Sequence, residues 1–127
     1  KIISKQRKGI TAPAPIENKM GTHELVEQVC VVGVNLPQPI VLVVLSAAAK
    51  IKPKEEIEQT LIGLKNYINP LLKNYEHLKK VVIVKEDWNI ENECLTPTMK
   101  IKRPSIEKKY QANFERWYES PETIIYE

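Results

Sequence analysis

The run LTPTMKIKR, from Leu95 to Arg103, holds the side chains of this sequence best suited to chemistry. Read as an extended chain, it puts Leu95, Pro97, Met99 and Ile101 on one face and Thr96, Thr98, Lys100 and Lys102 on the other. The first face can anchor the segment, and the second presents two hydroxyls and two ammonium groups. A lysine is a compact charge on a flexible stem, able to reach a phosphate or carboxylate oxygen and stabilise negative charge building there. The same pattern suits an exposed edge strand, where lysines oppose edge-to-edge association. Spacing alone leaves both readings open.

Other reactive residue types offer less. His23 and His77 have no partners at ligand or triad spacing and read as structural or exposed. Cys30 and Cys94 are too few for a disulfide framework or a zinc cluster. Cys30 alternates with strand residues and reads as a core thiol. Cys94 falls on the face of Thr96, partly exposed, and without a nearby histidine it is a poor nucleophile. Gly9, Gly21, Gly33 and Gly63 are isolated, so no glycine-rich phosphate loop is present, and no acidic magnesium ligand stands out. The isolated chain is therefore expected to catalyse nothing by itself.

The elements that must position Lys100 follow from periodicity. APAPI, from Ala12, is extended until Pro15 starts a short helix that Gly21 closes. Val26–Val34 and Ile40–Leu45 are β-branched runs separated by the turn residues NLPQ, and read as a hairpin at the centre of a sheet. Pro53 opens a helix whose stripe is Ile57, Leu61, Leu64 and Ile68, and Pro70 ends it, with a further turn or two over 71–77. Val81–Lys85 is a third strand, and Glu86–Glu93 a surface loop long enough to move, with Trp88 as a surface anchor. Pro104 starts a last helix lined by Ile106, Tyr110, Phe114 and Trp117. The sum is an α/β (α+β) domain with a small three-stranded sheet core and helices packed on it.

The 127 residues give room for one domain, with 43% hydrophobic and 28% charged residues, so neither a disordered tail nor a coiled coil is implied. The longest apolar run, Pro39 to Ala49, is interrupted by Ser46 and falls short of the roughly 20 residues of a membrane-spanning helix. A chain that opens on Lys1, with no Met and no signal-peptide pattern, reads as a piece cut from a longer one, from a reducing compartment. The net charge of +3 does not argue for nucleic acid, because the aromatic residues lie mostly on the core face of the last helix. Two basic clusters, Lys1, Lys5, Arg7, Lys8 and Lys100, Lys102, Arg103, Lys108, Lys109, are either solvated patches or two sides of one anion site.

The residues themselves narrow this further. LTPTMKIKR followed by IEKKY closely resembles the C-terminal signature of AMP-forming acyl-CoA synthetases, particularly the long-chain fatty-acid branch. APAPIENKM resembles the same family's APxPIE segment just after the interdomain hinge, and ELVEQVCVVGVNLPQPIVLVVLS its valine-valine-glycine strand and the strand after it. The resemblance runs in order from about Lys1 to Tyr118. It implies that residues 1–127 are the mobile C-terminal lid of the adenylate-forming fold, cut just after the hinge. A large N-terminal adenylation domain would bind ATP, Mg2+ and the fatty acid, with coenzyme A as second substrate.

By the same resemblance, Lys100 is the adenylation lysine, Thr98, Lys102 and Arg103 lie on the substrate and phosphate side, and Lys8 and Gly9 belong to a loop lining the pantetheine tunnel. The lid would then rotate to support thioester formation. The expected setting is the cytoplasm or the surface of a membrane. Two departures stand out: KQRKGIT has one glycine where the family usually shows a glycine pair or GK, and Glu93 stands where glycine commonly precedes LTPT. The alternatives are the lid of another carboxylate–CoA or acyl–carrier-protein ligase, and a non-catalytic basic module docking an anionic partner. A module would tolerate Arg at position 100, whereas a lid needs the amine.

Overall fold

Strand β2, Ile40–Leu45 (IVLVVL), is buried along nearly its whole length, which places it inside a sheet covered on both faces. The computed structural model describes residues 13–33, 36–71 and 77–127. Strand β1, Val26–Val32, pairs antiparallel with β2; β3, Lys80–Ile83, runs parallel to β2; and β4, Ile124–Tyr126, runs parallel to β3. Among the described residues the order β1-β2-β3-β4 makes four strands, not three, and puts the β1–β2 hairpin at one side of the sheet rather than at its centre. β4 escapes a reading by pattern because it is three residues long and Ile124 alone in it is buried.

Helix α1 spans Pro13–Gly21, the short α2 Ala47–Lys50, α3 Lys54–Ile68 and α4 Arg103–Glu119. A 3-10 turn at Asn69–Leu71 follows α3 at Pro70; the further turn expected beyond it lies largely outside the described residues. Alternation along the strands separates two cores. Val29, Val31, Val41, Val43, Val81 and Ile83 face Ile16 and Met20 of α1 and Ile57, Leu61 and Ile68 of α3. Cys30, Val32, Leu42, Val44 and Val82 face Ile106, Tyr110 and Trp117 of α4, with Trp88, Cys94 and Leu95. A bulge between Val26 and Gln28 absorbs one residue, so that Val26 and Val29 share a face although three positions apart.

Two local features hold the ends. Gly33, at φ +99, closes β1, and a Cβ there would come within 2.9 Å of Leu36 Cδ1. Lys80, buried at the start of β3, donates from Nζ to the carbonyl oxygens of Ser120 (2.5 Å) and Glu122 (2.6 Å), fastening the connection from α4 to β4. Burial pulls its ammonium below the ordinary lysine range.

Candidate functional site

The LTPTMKIKR segment is a tight hairpin turn and not an extended strand. Leu95 and Ile101 form an antiparallel bridge at its base, and the Thr96 N–H donates to the Lys100 carbonyl at 2.7 Å. Inside the turn the Met99 N–H donates to the Thr96 carbonyl at 2.7 Å, and the Lys100 N–H to Thr96 Oγ1 at 3.1 Å. The two hydroxyls of Thr96 and Thr98 lie 3.0 Å apart and share a hydrogen bond. The local sequence explains this: Pro97 presets the first turn position, and the threonine hydroxyl supplies a bond that a strand would not use.

The turn redistributes the side chains. Leu95 stays buried and Ile101 half-buried against the α4 core, whereas Met99 is exposed at the tip, against the expectation that it anchors the segment. Met99 sits at φ 69, the left-handed residue that ends a three-residue hairpin loop. Lys100 follows it and is exposed, with no salt bridge to any of the described residues. Thr98 is exposed beside it, and Lys102 is half-buried at the base, its N–H donating to the Cys94 carbonyl at 2.8 Å.

The loop leading into the turn is pinned. Asn92 Oδ1 accepts from the Asn89 N–H (3.0 Å), Asn89 Oδ1 from the Asn92 N–H (2.7 Å), and the Asn89 carbonyl from the N–H groups of Cys94 and Leu95. Trp88 is buried, not a surface anchor, and its Nε1 donates to Tyr110 Oη at 3.0 Å. Burial pushes the Tyr110 phenol up to about 12, more than the Trp88 bond lowers it. Glu93 occupies φ 65, a left-handed conformation that glycine adopts without strain.

Arg103, the first residue of α4, reaches across to α1. Its Nη1 lies 2.5 Å from Glu17 Oε2 and its Nη2 2.9 Å from Glu17 Oε1, while Oε2 also accepts the Val31 N–H at 2.8 Å. Burial raises the Glu17 carboxyl despite the lowering by the Val31 N–H and by Arg103. Nη1 also donates to Cys30 Sγ at 3.7 Å. Both cysteines are buried, Cys94 included, and desolvation raises both thiols, so neither is poised as a nucleophile. His23 is structural, accepting the Leu25 N–H at Nδ1.

The structure thus brings Thr96, Thr98 and Lys100 together on one turn, sets Lys102 at its base and joins Arg103 to Glu17. Lys8 and Gly9 lie outside the described residues. Glu17 is the last residue of the APAPIE segment, but its pairing with Arg103 leaves no signal in sequence, because the two stand 86 positions apart. Among the described residues no group of His, Cys, Asp and Glu could hold a metal ion, and no helix is long and apolar enough to cross a membrane.

A two-faced α/β domain carrying an exposed lysine on a hydrogen-bonded turn is the class that fold and site define. The chain belongs to the family of AMP-binding enzyme C-terminal domains, whose model matches residues 4–122. It is 34% identical to long-chain-fatty-acid–CoA ligase 5 of Rattus norvegicus over 129 aligned positions, covering 87% of this chain and 19% of that protein. The Mus musculus ligase 5 is 33% identical over the same shares. This chain therefore spans about a fifth of the length of these relatives. Among solved structures, the A-PCP didomain of carboxylic acid reductase from Segniliparus rugosus in complex with AMP matches with a TM-score of 0.68 and 26% identity over 83% of this chain and 15% of that one. The A domain of the same reductase gives a TM-score of 0.65 at 23% identity over 85% of this chain and 18% of that one, a likeness of fold.

Proposed function

We propose that this chain is the C-terminal lid of an ATP-dependent long-chain fatty-acid–CoA ligase, and that Lys100 is its adenylation lysine. The observation that carries this reading is the turn itself: a hydrogen-bonded finger, anchored by Leu95 and Ile101, that holds in solvent an ammonium with no salt bridge among the described residues. In the first half-reaction a fatty-acid carboxylate oxygen attacks the α-phosphorus of ATP and pyrophosphate leaves. Negative charge builds on the oxygens between carboxylate and phosphate, and the Lys100 ammonium, delivered by the turn, stabilises it. The Thr98 hydroxyl and Lys102 flank that position on the phosphate side. In the second half-reaction the thiol sulfur of coenzyme A attacks the acyl carbonyl and AMP leaves. A lid carrying Lys100 can withdraw it and present another face, with Lys8 and Gly9 near the pantetheine path. ATP, Mg2+ and the acyl chain would be held mainly by the N-terminal adenylation domain.

Ligation to coenzyme A is favoured over transfer to a carrier protein because the ligase relatives match most of this chain at the higher identity. The test is product analysis with the full-length protein, ATP and palmitate, offering coenzyme A or a phosphopantetheinylated carrier protein as acceptor. Release of palmitoyl-CoA and AMP supports the proposal. Acylation of the carrier alone moves the chain to an acyl–carrier-protein ligase or reductase, and no acid-dependent use of ATP favours an anion-binding module.

A further inference from the structure

The ion pair between Glu17 and Arg103 lies at a mechanically important place. Arg103 begins α4 just after the bridge that closes the Lys100 turn, so it fixes the C-terminal leg of that turn. Glu17 sits in α1, in the segment APAPIE, and its side chain is 10% exposed. One carboxylate therefore ties three elements: α1 that carries it, the outer edge of β1 through the Val31 N–H, and the root of the lysine turn through both Nη atoms. The geometry is the bidentate fork that fixes direction as well as distance, and a lysine at 103 could not reproduce it. The other leg of the turn is held by the Asn89–Asn92 network, and the bond from the Lys102 N–H to the Cys94 carbonyl joins the two legs.

We propose that Glu17 and Arg103 are a positioning pair for Lys100, aligning the lysine turn with α1. This inference rests on the reading of Lys100 as the adenylation lysine. On the reading of the chain as a lid, the pair makes the turn move as one body with α1. A lysine that must meet developing charge within about 1 Å tolerates little play, and misplacement of that size costs roughly 10²-fold in rate.

The experiment uses the full-length protein carrying Glu17→Gln, Arg103→Lys or Arg103→Met, with Lys100→Ala as reference. Two rates are measured, normalised to folded protein by circular dichroism: palmitate-dependent ATP–pyrophosphate exchange, and thioester formation from preformed palmitoyl-adenylate and coenzyme A. Glu17→Gln keeps an acceptor for the Val31 N–H while losing the charge, so it retains the fold. The expected result is a fall of about 10–100-fold in kcat for exchange, with thioester formation retained. Arg103→Lys should recover part of the exchange that Arg103→Met loses, and the double variant Glu17→Gln/Arg103→Met should lose no more than its worse single parent. Equal loss in both half-reactions, or loss in neither while Lys100→Ala abolishes exchange, overturns the positioning role and leaves the function standing. Exchange surviving in Lys100→Ala overturns both.

Discussion

Strand β2 and the Lys100 turn are held by opposite means. β2 contributes Ile40, Leu42 and Val44 to one core and Val41 and Val43 to the other, and nothing in it beyond the ladder needs a polar partner. The turn over 95–101 contributes Leu95 and Ile101 to a core and holds its shape with threonine hydroxyls, a proline and a residue in the left-handed region. Apolar burial is strong but indifferent to direction, whereas short hydrogen bonds fix direction at little cost in buried area. A domain that must hold a charged group at a defined angle needs the second device standing on the first.

Substitutions that break this comparison rank by the burial they disturb. Leu42→Ala removes a fully buried side chain between β2 and α4 and should cost about 2–5 kcal/mol in equilibrium urea denaturation. Thr98→Ala on the turn, exposed, should change the same stability by less than about 0.5 kcal/mol. Similar losses for the two would contradict the division. Gly33→Ala forces a Cβ toward Leu36 at a positive φ, and a loss of about 1–3 kcal/mol is expected by the same measurement.

The Tyr110 phenol sharpens the contrast through pH. Its folded value near 12 lies above the ordinary 10, so between these values the folded state binds more protons than the unfolded one. Stability should therefore fall as pH rises through that window, and a fluorescence-detected urea midpoint should show a shallower fall in Tyr110→Phe. An equal slope in both proteins would rule out Tyr110 as its source. The smallest effect concerns the turn's approach: Glu93→Gly relieves the φ 65 strain but adds freedom to the unfolded chain, leaving a net change within about 1 kcal/mol of zero. A large stabilisation would mean that the Glu93 backbone stores more strain than its conformation implies.

What the sequence makes legible follows the same line. The β1–β2 hairpin, α3 with its Ile57, Leu61 and Ile68 stripe and α4 with Ile106, Tyr110 and Trp117 are readable because burial imposes a period on the residues. Lys100 and its neighbours are readable as residue types, through LTPTMKIKR. The shape that presents them is not, because alternation says nothing of a threonine hydroxyl turning back onto its own chain, although Pro97 was a signal against a strand. Trp88 reads as a surface residue amid polar neighbours, and its bond to Tyr110 depends on α4 packing over the loop. The Glu17–Arg103 pair joins opposite ends of the chain and has no periodic trace.

On the function proposed, Lys100 serves one half-reaction and not the other. The measurement that bears on it most directly is the pair of half-reaction rates in full-length Lys100→Ala, with Lys100→Arg alongside. Loss of one charge-stabilising donor should lower palmitate-dependent ATP–pyrophosphate exchange by roughly 10²–10³-fold while thioester formation from palmitoyl-adenylate continues. Exchange at the unsubstituted rate in Lys100→Ala would contradict it.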